Sequence, residues 1–308
     1  MNILKPRFWQ KKSNIFSILL WPISLIFLIL SIIKKNISSS KSFDIPIICV
    51  GNIYIGGTGK TPLSIFIINE IKKTKKPVII KKYYKEHRDE HELINERNAP
   101  LILDKNRSKA IIEAKKKGFN VIVLDDGFQD HSIKKNLNII CFNNRQLIGN
   151  GMLFPAGPLR EKISSLKNAQ IVVLNGEKNE AFENLILGIS KKIQIYHSKY
   201  IPLNIDKFKN KKLIAFAGIG SPNNFFEILR TNSLNLQETL AFPDHYKFTQ
   251  KDLETIVNRA EKNNCEIITT EKDYHRIKNY NFKSIKYLEL KLEILNKDQF
   301  IKQIFNFL

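Results

Sequence analysis

Gly56, Gly57 and Gly59 run directly into Lys60 and Thr61, and an apolar stretch of strand length, residues 45–50, leads into them. Glycines let backbone N–H groups approach phosphate oxygens, a lysine places a cation on the β and γ phosphates, and a neighbouring hydroxyl ligates Mg²⁺. The chemistry these residue types could do is therefore nucleotide phosphate handling. The register matches G-x-x-x-x-G-K-[ST] except at the first glycine position, where Tyr54 stands and Gly56 and Gly57 partly replace the lost freedom. A helix from about residue 62 to 71 is expected to add its positive N-terminal end to the same anion site.

Carboxylates recur at two further points. Residues 120–124 are mostly apolar and end in Asp125-Asp126-Gly127, the pattern of a strand whose terminal acid helps hold Mg²⁺ beside the loop hydroxyl; a D-D-G turn is the plainer reading. The polar segment 85–98 carries Asp89, Glu90, His91 and Glu92. Such a cluster suits a solvated loop or helix start, and equally supplies what a metal or a hydroxyl nucleophile requires near a phosphate loop.

These residues need elements to position them. Strand and helix signals alternate from residue 45 to 174, which predicts a mostly parallel sheet with crossover helices, its last strand at 171–174. The pattern repeats on a smaller scale beyond residue 206, with a strand at 213–216, a glycine turn at 218–221, a helix at 223–229 and a strand at 266–269. The fold expected is α/β: a P-loop NTPase-like domain over 43–205, a second, smaller α/β domain over 206–308, and a cleft between them for a nucleotide. Ahead of both, residues 13–33 carry no charge, enough for roughly 30 Å of helix, flanked by Lys11, Lys12, Lys34 and Lys35. An N-terminal membrane helix with its linker, residues 1–42, is the expectation, with a buried core helix as the alternative.

The chain has 308 residues, a net charge of +21 and a pI near 9.7, which calls for an anionic partner or reflects a Lys-, Ile- and Asn-rich bias spread over solvated faces. No single element interleaves aromatic and basic residues, so nucleic acid is not expected. Cys49, Cys141 and Cys265 are far apart, and two lie in apolar runs; they read as buried thiols in a reducing compartment.

Taken in order, the apolar N-terminal segment, VGNIYIGGTGKTP, DDGFQ, GNGMLFPAGPLRE, AFAGIGSP, AFPDHY and TTEKD resemble the tetraacyldisaccharide 4'-kinase family over nearly the whole chain. The resemblance implies transfer of the ATP γ-phosphate to the 4'-hydroxyl of tetraacyldisaccharide 1-phosphate, a lipid A precursor, by a monomer whose catalytic domain is cytoplasmic at the inner membrane. It assigns Tyr54, Ile55, Gly56, Gly57, Thr58, Gly59, Lys60 and Thr61 to the ATP phosphates, with Lys60 catalytic. Thr61, Asp125, Asp126 and Glu90 become candidate Mg²⁺ ligands. Asp89, from the Asp-Glu pair before Leu93-Ile94, becomes the catalytic aspartate, and His245 its partner. Coming from the two expected domains, Asp89 and His245 would meet on closure of the cleft. The family usually reads R-G-Y-G where Lys82-Tyr83-Tyr84-Lys85 stand, and D-D-G-F-Q-H where Asp130 replaces the histidine and His131 follows. A membrane-attached P-loop switch is the competing class, and it leaves FPAGPLRE and FPDH unexplained.

Overall fold

The computed structural model describes residues 6–12, 14–84 and 88–308, the side chains of Arg88 and Asp89 excepted. After helix α1 (Ile15–Ile37) the chain enters β1 (Ile47–Gly51), whose residues are all buried because both faces of a parallel strand are covered. There follow α2 (Lys60–Ile71), β2 (Pro77–Lys82), α3 (Arg88–Glu96), β3 (Leu101–Asp104), α4 (Arg107–Lys116), β4 (Val121–Asp125), β5 (Leu137–Asn143), β6 (Ile171–Asn175), α5 (Glu180–Ile189) and β7 (Gln194–Pro202). The C-terminal part holds β8 (Lys212–Ala217), α6 (Pro222–Thr231), β9 (Asn235–Ala241), α7 (Gln250–Lys262), β10 (Glu266–Thr270), α8 (Glu271–Ile277), β11 (Ile285–Leu288), β12 (Leu290–Ile294) and α9 (Lys297–Phe305).

Among the described residues, one sheet runs β12-β7-β6-β5-β1-β4-β2-β3 and a second runs β11-β10-β8-β9. β1 lies between β4 and β5, parallel to both, so the loop after it emerges where the strand order reverses, the usual ligand position in such sheets. The apolar side chains of β1, β4 and β5 join those of α4 and α5 in one core. The sheet does not end with β6: β7 adds parallel to it and β12 follows at the edge. Both carry polar, partly exposed residues and so lack the continuous apolar run that marks the inner strands.

The chain divides into two compact units that are not contiguous in sequence. One comprises 6–83, 98–199 and 293–308; the other groups 200–292 with the described part of 84–97. The segment bearing Asp89 therefore belongs with the unit that contains His245, rather than with the P-loop unit as expected. Its physical reason is a set of ion pairs between α3, with Arg97 just after it, and α8 with Lys278 beyond its end. Arg97 bonds Glu271 at 2.9 Å, Lys272 bonds Glu90 at 2.6 Å, Lys278 reaches Glu92 at 2.6 Å and His275 lies 3.2 Å from Glu96.

Candidate active site

The loop after β1 turns into α2 at Gly59, whose φ of +85° lies in the left-handed region that glycine adopts without a Cβ penalty. Lys60 and Thr61 open the helix, where unpaired N–H groups and the helix dipole favour an anion. Behind the loop, buried Tyr54 occupies the missing first-glycine position as a prop: its hydroxyl accepts from the Asn143 N–H at 2.7 Å and its ring packs on Phe142. The Ile55 N–H donates to Pro158 O at 2.9 Å, and Gln146 Nε2 donates to Ile55 O at 3.0 Å. A phosphate loop with a tyrosine in place of glycine is thus held by β5 and by the segment before Arg160.

At the end of β4 the two acids part company. Asp125 is fully buried and accepts from Thr61 Oγ1 at 2.8 Å and from Ser64 Oγ at 3.5 Å. Asp126 takes φ +60° and presents its carboxylate to Lys60 at 3.7 Å and to Arg160 at 3.2 Å. Burial pushes the Asp126 carboxyl up, but Lys60, Arg160 and Lys81 outweigh it and hold the group well below the usual carboxylate range. Lys60, Thr61, Asp125 and Asp126 therefore meet in one cluster. A hydroxyl and a buried carboxylate 2.8 Å apart are hard oxygen donors of the kind Mg²⁺ takes, so these residues fit that ion.

Three further residues bind this cluster, and none of them is among the expected site residues. Lys81 Nζ lies 2.5 Å from Asp125 Oδ2; Arg160, in the PAGPLRE segment, also bonds Asn52 Oδ1 at 3.1 Å; Arg107 donates to Asp126 O at 2.7 Å. Lysine closing the apolar run of β2 was the available clue for Lys81. Asp130 pairs with Arg107 at 3.1 Å and accepts from Ser132 Oγ at 2.6 Å, which makes it a loop anchor. His131 has its pKa lowered by burial and by Lys135 and Lys35.

In the other unit, His245 sits at φ +56° with its N–H donating to Gly218 O at 3.1 Å. Arg276 Nη2 approaches His245 Nδ1 at 3.3 Å while Nη1 bonds Gly218 O and buried Asp273. A guanidinium has only donors, so it selects the tautomer with the proton on Nε2. Glu90 accepts from Lys272 on α8. Asp89 lies on α3, its side chain outside the described residues.

The family model for tetraacyldisaccharide-1-P 4'-kinase matches residues 16–308. The chain belongs to that family. The tetraacyldisaccharide 4'-kinase of Pelagibacter ubique (strain HTCC1062) is 44% identical over 299 residues, covering 96% of this chain and 95% of its own. That of Rickettsia canadensis (strain McKiel) is 34% identical over 324 residues, covering 99% and 98%. Among solved structures, LpxK from Aquifex aeolicus, crystallised with ATP, aligns with a TM-score of 0.69 at 23% identity over 95% of this chain and 99% of its own. That similarity establishes the fold, a P-loop-like α/β architecture with one apolar N-terminal helix. Family membership makes the protein a kinase, which the alternative of a switch does not.

Proposed function

We propose that the protein transfers the γ-phosphate of ATP to the 4'-hydroxyl of tetraacyldisaccharide 1-phosphate at the cytoplasmic face of the inner membrane, acting as a monomer. The reading rests on Lys60 and Thr61 opening α2 against Asp126 and Asp125, within a chain of this kinase family. The loop N–H groups of residues 56–61 and the Lys60 ammonium bind the phosphates and neutralise charge spreading over the transferred group, while Tyr54 and Ile55 hold the loop from behind. Thr61 and Asp125 would hold Mg²⁺, with Asp126 beside them; bound there, the ion supplies charge neutralisation across the phosphates. Asp89 accepts the proton of the 4'-hydroxyl as its oxygen bonds to phosphorus and ADP leaves. His245, with Nε2–H as donor, orients that carboxylate.

The acceptor's acyl chains fit a chain that reaches the bilayer. α1 buries Ser17 and Ser24, at 0% and 4% exposure, while thirteen large apolar residues from Ile15 to Ile33 are exposed. Asn150 Nδ2 donates to Ser17 Oγ at 3.0 Å, Ser24 Oγ donates to Leu153 O at 2.9 Å, and Phe27 meets Phe154 at 5.8 Å between ring centroids. A spanning orientation would drag the polar backbone of that loop into hydrocarbon, so the helix lies in the interface with its apolar face in lipid.

Incubating the purified protein with Mg-ATP and tetraacyldisaccharide 1-phosphate should yield a product one phosphate heavier, with ADP released in equal amount. ATP hydrolysis without that product would return the protein to the switch class.

A further inference from the structure

Lys81 is 4% exposed and stands opposite Asp125 in the parallel register of β2 with β4, so both side chains leave the sheet on the same side. Its ammonium lies 2.5 Å from the Asp125 oxygen that also accepts from Thr61. Buried charges are retained where they are paired, and neither partner would be tolerated here without the other or a replacement. Among the described residues, Lys60, Lys81 and Arg160 face Asp125 and Asp126, so each carboxylate already has a cation beside it before any metal arrives. A divalent ion using Asp125 must share that carboxylate with an ammonium already on it. Coulomb repulsion in a buried site opposes it unless the nucleotide phosphates bring negative charge.

We propose that Lys81 is a positioning residue that stands in for the metal on Asp125, keeping the carboxylate compensated between turnovers and making metal entry depend on bound nucleotide. The inference rests on the reading of Asp125 as a metal ligand. Its consequence is that Mg²⁺ enters as the nucleotide complex, not ahead of it.

The test uses the full-length protein without nucleotide and Mn²⁺ as the probe, with affinity from titration calorimetry and Tm measured in chelator and in saturating Mn²⁺. Wild type should bind Mn²⁺ weakly. Lys81→Met should bind it on the order of tenfold tighter or more, melt roughly 5 °C lower in chelator, and recover that loss when Mn²⁺ is added. Lys81→Gln keeps a donor to Asp125 without the charge, so the affinity gain can be read even where the methionine variant folds poorly. Lys81→Arg should restore weak binding. Unchanged Mn²⁺ affinity in both uncharged variants, or a Tm loss that Mn²⁺ does not recover, overturns the proposal and leaves Lys81 a plain structural counter-ion. Asp125→Asn separates the two readings: if it abolishes Mn²⁺ binding while the Lys81 variants match wild type, only the proposal falls, whereas wild-type binding in Asp125→Asn removes the metal reading and the proposal with it.

Discussion

Lys60 lies at the helix opening with 16% of its side chain exposed and a carboxylate 3.7 Å away, so it contributes charge to the site and little to the core. Lys60→Ala should therefore lower phosphate transfer by about 10²–10³-fold, the size typical of removing one electrostatic stabiliser, with Tm close to wild type. Near-normal ADP release in that variant would remove the loop from the chemistry. Glu161 gives a pH test at the same scale. Burial raises its carboxyl pKa above the ordinary 4.5 despite Ser165, Lys35, Arg160 and Lys135, all of which lower it. An acid that holds its proton more tightly folded than unfolded contributes stability below its unfolded pKa and loses that contribution as pH rises through the folded one. Glu161→Gln, which cannot ionise, should accordingly melt above wild type by a margin that opens as pH rises past 4.5 and then levels. A margin that grew toward acid would reverse the assignment. At this scale the sequence reveals residues that carry a local pattern of their own: Gly59, Lys60 and Thr61 in the glycine loop, and Asp125 at the end of an apolar run. Lys81 and Arg160 were not legible, because their partners are fixed by which strands lie side by side and by how the segment before Arg160 folds back on the loop.

Elements were legible where burial is two-sided. β1, β4 and β6 read from the sequence as strands of apolar residues. β7, β9 and β12 escape that reading because half-buried and exposed polar residues interrupt them: β9 has no buried residue, and β7 and β12 have two each. α1 was legible as apolar and long, and the seven-residue spacing of Ser17, Ser24 and Ser31 is the sequence signal for one face of it, the face on which Ser17 and Ser24 are buried. That face separates two variants. Ile26→Lys changes a side chain 59% exposed and should release the protein from anionic vesicles in a sedimentation assay without lowering Tm. Ser24→Leu removes the donor to Leu153 O and the acceptor for the Ala156 N–H, so it should lower Tm while leaving the exposed apolar surface intact. Equal vesicle binding by Ile26→Lys and wild type in high salt would place the anchor outside α1.

On the scale of the whole molecule, the chain leaves the P-loop unit between β2 and β3, contributes α3 to the other unit and returns, then leaves again within β7 and comes back within β12. No contiguous division of the sequence anticipates this, because the ties that recruit α3 join residues about 180 positions apart through charge rather than apolar pattern. The recruitment changes what is expected of Asp89 and His245. Both are carried by one compact unit, α3 on one side of the sequence and the loop before Phe248 on the other, so the proposed pairing of the two is a relation within that unit. If His245 orients Asp89 for the acceptor hydroxyl, Asp89→Ala and His245→Ala should each lower kcat by about 10²–10⁴-fold, the usual worth of a general base, and the double change should cost little more than the worse single one. Nucleotide affinity should stay near wild type in all three, since the phosphate-binding N–H groups and Lys60 are untouched. Losses that multiply in the double variant would mean the two act separately, and full turnover in Asp89→Ala would move the proton acceptor to Glu90 or Asp126.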